Sequence, residues 1–144
     1  RFVKTTFCND RNTSGTWTSN GSDFEYAPLT RLSSSTPIPT FECNTEDVVT
    51  NNLGLITADE IVLAGGKVGT DNSAFYLNNN IAYWAGSPFE FHYGSSIVFI
   101  FYSVYGLAYN GVRYRTSAAR GVITLSVDTK LLGSGTYDDV YVVS

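Results

Sequence analysis

Hydrophobic and polar positions change period several times along the chain, and each change marks an element. Residues 2–8 (FVKTTFC) alternate well enough to predict a strand, and the Asn/Thr/Ser/Gly stretch after them, with its lone Trp17, reads as loop. Structure returns briefly over residues 26–32. Pro37 and Pro39 then hold Ile38 extended, because proline disfavours helix for itself and for its predecessor. The clearest helix is short. Thr57 stands as N-cap with Glu60 three residues on as its capping-box partner, Ile61, Val62 and Ala64 supply the apolar side, and Gly65-Gly66 ends it, which places the helix at residues 58–64. Asp59 and Glu60 fall in the first turn, where the helix dipole favours carboxylates, and that explains the pair better than catalysis does.

Beyond residue 74 the pattern is strands and turns: 74–77, a turn at Asn78-Asn79-Asn80, 81–84, 96–104, 121–127 and 140–143, punctuated by Gly106, Gly111, Gly133 and Gly135. The run Ile97 to Tyr105 (IVFIFYSVY) is the most hydrophobic, and at half the length of a membrane-spanning helix it reads as a core strand. The whole predicts one α+β domain, rich in loop, with most of its β structure in the second half. A length of 144 residues suits a single domain.

Composition narrows the partners. Only 15% of residues are charged, against roughly 25% in an average protein, while aromatics also reach 15%. The surface is therefore built largely of hydroxyls, amides and rings. A net charge of −4, with nine scattered basic residues, argues against nucleic acid, whose affinity rests on clustered Lys and Arg. No apolar window is long enough for membrane insertion. The chain contains no Met, begins at Arg1 and shows no signal-peptide pattern, which reads as a trimmed domain or a piece of a longer polypeptide. Two sequons, Asn12-Thr13-Ser14 and Asn20-Gly21-Ser22, matter only in a cell that glycosylates secreted proteins.

Cys8 and Cys43 are too few for a zinc set, with His92 as the one histidine, and a disulfide is the better reading than two buried thiols. Closing that loop stabilises the fold by roughly 3 to 4 kcal/mol in the chain-entropy model and implies an oxidising compartment. Asp71-Asn72 and Asp138-Asp139 suit turns better than a hard cation. No metal site and no cofactor is expected.

The candidate chemistry concentrates between Tyr83 and Arg115. In the segment FEFHY, an extended chain puts Glu90 and His92 on one face and the rings of Phe89, Phe91 and Tyr93 on the other. A Glu/His pair can do acid/base work, but no Ser or Cys nucleophile is recognisably tied to it, so an enzyme is not the expectation. Tyr102, Tyr105, Tyr109, Asn110, Arg113, Tyr114 and Arg115 form a stretch dense in residues that favour recognition, since Tyr offers contact area at low entropy cost plus a hydroxyl. Rings on strands usually fill cores, and Trp84, Phe99 and Phe101 are assigned there. The expected display set is Phe89, Glu90, His92, Tyr93, Tyr102, Tyr105, Tyr109, Asn110, Arg113, Tyr114 and Arg115.

Several short motifs, in order, carry a resemblance: Phe7-Cys8-Asn9-Asp10-Arg11, Gly54-Leu55-Ile56-Thr57-Ala58-Asp59-Glu60, Tyr83-Trp84 with Ser87-Pro88, Ala119-Arg120-Gly121-Val122-Ile123-Thr124-Leu125, and Gly133-Ser134-Gly135-Thr136 with Tyr141-Val142-Val143. Together they resemble C-type-lectin-like domains of bacterial and phage surface proteins, and the stretch from Trp84 to Arg120 is similar to the Tyr-, Ser- and Asn-rich region of retroelement-diversified receptor-binding proteins. The chain departs from that pattern in having Gly121 where Pro often follows the Arg.

The resemblance implies a lectin-like fold with its first and last strands paired, residues 2–8 against 140–143. It also implies a non-catalytic adhesin on a virion or cell surface, with a cell-surface protein or glycan as partner. The Glu-Pro-Asn and Trp-Asn-Asp clusters of calcium-dependent sugar binding do not occur in the sequence. The rival expectation is a structural module that assembles with copies of itself or within a larger parent assembly.

Overall fold

The computed structural model describes residues 2–16, 23–136 and 138–143; Trp17 and the sequon Asn20-Gly21-Ser22 lie outside them. The opening strand divides at Lys4 into β1 (Phe2–Val3) and β2 (Thr5–Cys8). Next come β3 (Thr13–Thr16) and β4 (Phe24–Tyr26). The brief structure expected at 26–32 is a helix, α1 (Ala27–Leu32), with proline in its first turn, where a missing N–H costs nothing. It buries Pro28 and Leu32 and gives way to a serine run.

A 3-10 turn at Thr45–Asp47 leads to β5 (Val48–Asn51) and β6 (Gly54–Leu55). Then comes α2 (Ala58–Leu63), with the expected capping box: Thr57 accepts from the Glu60 N–H while the Glu60 side chain accepts from the Thr57 N–H at 2.7 Å. Its first turn gains a further cap, because Ala58 N–H donates to the buried Ser87 Oγ at 2.9 Å.

The centre of the molecule is an antiparallel meander of β7 (Tyr83–His92), β8 (Ser95–Tyr102) and β9 (Gly106–Gly111). β4 extends it beyond β7, and β3 beyond β4. β7 is far longer than the predicted strand at 81–84. It continues through Ser87-Pro88 because register shifts on either side of Pro88 spare the ladder a donor that proline lacks.

β9 falls where the sequence shows only the punctuating Gly106 and Gly111. Its glycines have packing reasons: Gly106 has φ 64°, and a Cβ there would collide with the Lys67 carbonyl. The expected strand at 74–77 is instead a run of turns that inserts Phe75 into the core. Asn72 and Asn78 fix it, accepting from Lys67 N–H at 2.6 Å and donating to the Ser103 carbonyl at 3.2 Å.

Five short strands follow: β10 (Ala118–Ala119), parallel to the start of β7, then β11 (Gly121–Val122), β12 (Thr124–Leu125), β13 (Leu131–Leu132) and β14 (Val142–Val143). The expected pairing of first and last strands is corrected here. β1 pairs with β12, β2 with β5, and β14 turns back on β13 in a local hairpin. Gly133, at φ 98°, makes that turn possible, and Gly135 N–H closes it on the Asp139 carbonyl at 2.9 Å.

The chain is therefore α+β, with two short helices and several antiparallel sheets among the described residues. Its core joins Leu32, Ile61, Phe75, Tyr83, Phe89, Phe99, Phe101 and Leu107. Each such side chain contributes about 1.5 to 3 kcal/mol by leaving water. Cys8 and Cys43 form a disulfide with a Cα separation of 5.7 Å, as expected.

Candidate functional site

Alternation along β8 sorts the aromatic stretch. Phe99 and Phe101 point into the core, while Ile100 and Tyr102 point to the opposite face. Across the ladder Phe99 stands opposite Tyr109, and Tyr83 opposite Phe101, so those rings share the core side. Phe99 and Phe101 are thus scaffold, as expected, while Trp84, opposite Ile100, is half-buried on the other face.

Phe89 is a correction to the display set. It is buried, packs edge-on against Phe99 at 5.1 Å and stacks with Tyr109 at 4.1 Å. An inward position at the Pro88 bulge makes it a support for the exposed Tyr109, not a contact surface of its own.

The route after β9 shapes the other face. Tyr83 pairs with Phe101 of β8 along one edge and with Ala118 of β10 along the other, so residues 112–117 must cross the sheet to reach β10. The crossing brings the Arg115 guanidinium over the Tyr102 ring at 4.8 Å. Asn110 Nδ2 donates to the Tyr102 hydroxyl at 2.9 Å, and Tyr105 meets the Tyr102 ring edge-on at 6.3 Å. Tyr105 itself is 64% exposed. Four of the predicted residues, Tyr102, Tyr105, Asn110 and Arg115, therefore form one contiguous polar and aromatic cluster.

A second group lies at the β7–β8 turn. Tyr93 occupies that turn with φ 46° and is exposed, and its N–H donates to Asp23 Oδ1 at 3.2 Å. His92 Nδ1 lies 2.8 Å from Asp23 Oδ2, and its ring packs on Tyr93 at 4.0 Å. Burial raises the Glu90 carboxyl above the usual range; His92 opposes the shift, and Glu25 and Asp23 add to it. Arg113 donates to the Tyr114 hydroxyl and lies over its ring at 4.7 Å. Those bonds, from Arg113 first and Ser95 next, hold the exposed Tyr114 hydroxyl below its ordinary pKa. Tyr114 folds over Gly111, where a Cβ would meet its ring at 2.7 Å.

The predicted residues thus gather toward the two ends of β8, and the consecutive Tyr114 and Arg115 join the two groups. Ring-on-ring and ring-on-guanidinium contacts fix side chains that would otherwise lose rotamer freedom on binding.

Two features had no legible signal. Asp23, the partner of His92 and Tyr93, lies 70 residues before Tyr93. Arg31 joins Asp59 through two bonds, of 2.7 and 2.6 Å, and Asp10 through one of 2.6 Å, which ties α1, the N-terminal arm and the start of α2 together. Asp59 thus has an ion-pair partner in addition to the helix dipole. The two candidate cation positions are turn caps: Asp71 accepts from Ser73 N–H at 2.9 Å, and Asp139 from Ser134 N–H at 2.8 Å. No family model, curated protein or solved structure matches the chain.

Proposed function

We propose that the chain is a non-catalytic binding module, an adhesin or receptor-binding domain of a phage particle or bacterial surface, with a lectin-like scaffold. The observation that carries this reading is the cluster of half-buried Tyr102 and Asn110 with exposed Tyr105 and Arg115, braced by its own hydrogen bond and ring contacts. Such a surface offers apolar area, fixed donors and a planar cation, the combination that suits a glycan or a protein loop. Tyr109 adds an exposed ring on the other side of the sheet, and Arg113 and Tyr114 carry the surface on toward the β7–β8 turn. The disulfide fits an oxidising compartment, and among the described residues no helix is long and apolar enough to cross a membrane.

A self-assembling module is the second reading. It is favoured by the exposed apolar side chains of the terminal hairpin, Leu131, Leu132, Tyr141 and Val142. Alanine at Tyr105, Tyr109 and Arg113 separates the two. The adhesin predicts loss of attachment to host cells with unchanged oligomer size in solution. Attachment that survives those changes, with oligomer size collapsing on alanine at Leu132 and Tyr141, supports the self-assembling module instead.

A further inference from the structure

Two half-buried arginines meet opposite fates in this acidic chain. Arg31 is flanked by two carboxylates. Arg120, just beyond β10, has no carboxylate partner among the described residues, and its guanidinium lies over the buried Tyr83 ring at 4.4 Å. A cavity of about 150 Å3 opens beside it, walled by Ile81, Ala118 and Ala119 and bordered by Asn79. A single water takes a share of only about 30 Å3 of liquid, so the space exceeds one water's need. Asn79 uses its Oδ1 to accept from Ile81 N–H at 3.3 Å, which leaves its NH2 as a donor.

We infer that the Arg120 cavity is a binding site for a carboxylate carried on a small apolar stem. The ring of Tyr83 holds the guanidinium plane in place, and a planar fork matches a carboxylate through two parallel hydrogen bonds. Asn79 adds a neutral donor, and the methyl groups of Ala118 and Ala119 with Ile81 accept the stem. One cation with one amide balances a single negative charge. A phosphate dianion would seek more cations than this site holds, in a chain of net charge −4. The carboxylate of a peptide C-terminus and that of an acidic sugar share this chemistry. The site is separate from the Tyr102 cluster, so either can fail without the other.

The test is a titration of the isotopically labelled chain, following the amide resonances of Ala118 and Ala119 and the Arg120 Nε–H. Propionate is expected to shift them saturably at roughly millimolar affinity, and the isosteric neutral propionamide is expected not to. Arg120→Gln keeps the backbone carbonyl that accepts from Ile56 N–H and should weaken propionate at least about tenfold. Asn79→Ala, which leaves Arg120 in place, should weaken it several-fold.

N-acetyl-Ala-Ala with a free C-terminus and glucuronate then distinguish the two sources, and the tighter one names the ligand. Equal responses to propionate and propionamide, tighter binding of inorganic phosphate, an unaffected Arg120→Gln, or both larger carboxylates binding more weakly than propionate would each overturn the assignment.

Discussion

The N-terminal arm and the central meander are held by different physics. Residues 8–59 are joined by a disulfide and by Arg31 between Asp10 and Asp59, with exposed Val48 and Val49 and no fully buried aromatic ring among their described residues. The meander is held by Phe99, Ile100, Phe101 and Leu107, all essentially inaccessible, and by their stacking with Tyr83, Phe75 and Phe89. Where apolar burial is dense, side-chain packing alone holds the strands. Where it is sparse, covalent and ionic ties replace it.

The largest expected effect breaks the meander. Phe101→Ala should lower stability by about 3 to 5 kcal/mol, through lost transfer energy and the cavity left between Phe75 and Tyr83, as urea unfolding would show. Next comes the arm. Replacing Cys8 and Cys43 together by alanine should lower stability by about 3 to 4 kcal/mol. Hydrogen exchange should then speed first in β2 and β5, and only later in β8. A uniform rise across both regions would remove the distinction drawn between them.

Arg31→Ala should cost about 2 to 3 kcal/mol, less than a fully buried pair because the side chain keeps 19% of its exposure. That cost should be confined to thermal unfolding, with attachment of the folded chain unchanged.

The smallest effect sharpens the β7–β8 turn. Glu90 has its pKa raised in the folded state by burial, so the protonated form favours folding. Its stabilising contribution is present at low pH and falls as pH rises through the elevated folded value. Glu90→Gln should remove that slope in a melting-temperature profile, and an identical profile in the variant would deny the burial of Glu90.

How much of this was legible in the sequence follows the same division. The α2 capping box, the disulfide and the core roles of Phe99 and Phe101 come from local signals: a cap spacing, a cysteine pair, an unbroken apolar run. β9 was hidden because Gly106 and Gly111 read as breakers, while tertiary neighbours, the Lys67 carbonyl and the Tyr114 ring, are what demand glycine there. The first-to-last strand pairing failed because a turn at Gly133 and Gly135 gave β14 a nearer partner.

In the aromatic stretch composition gave no sign of how its residues divide between the two sides of the sheet. Phe89 went inward at a bulge that no residue spacing announces, and the crossing of residues 112–117 set Arg115 on Tyr102 through sheet order alone.

The central claim is that the outward face of the meander, and not the terminal hairpin, meets the ligand. Its most direct test is attachment of the folded, fluorescently labelled chain to intact host bacteria, comparing two double variants. Tyr105→Ala with Arg115→Ala should reduce attachment at least about tenfold, the loss of one or two interface anchors of more than 1 kcal/mol each. Leu132→Ala with Tyr141→Ala should leave it unchanged. Attachment that survives the first pair and is lost with the second would contradict the account.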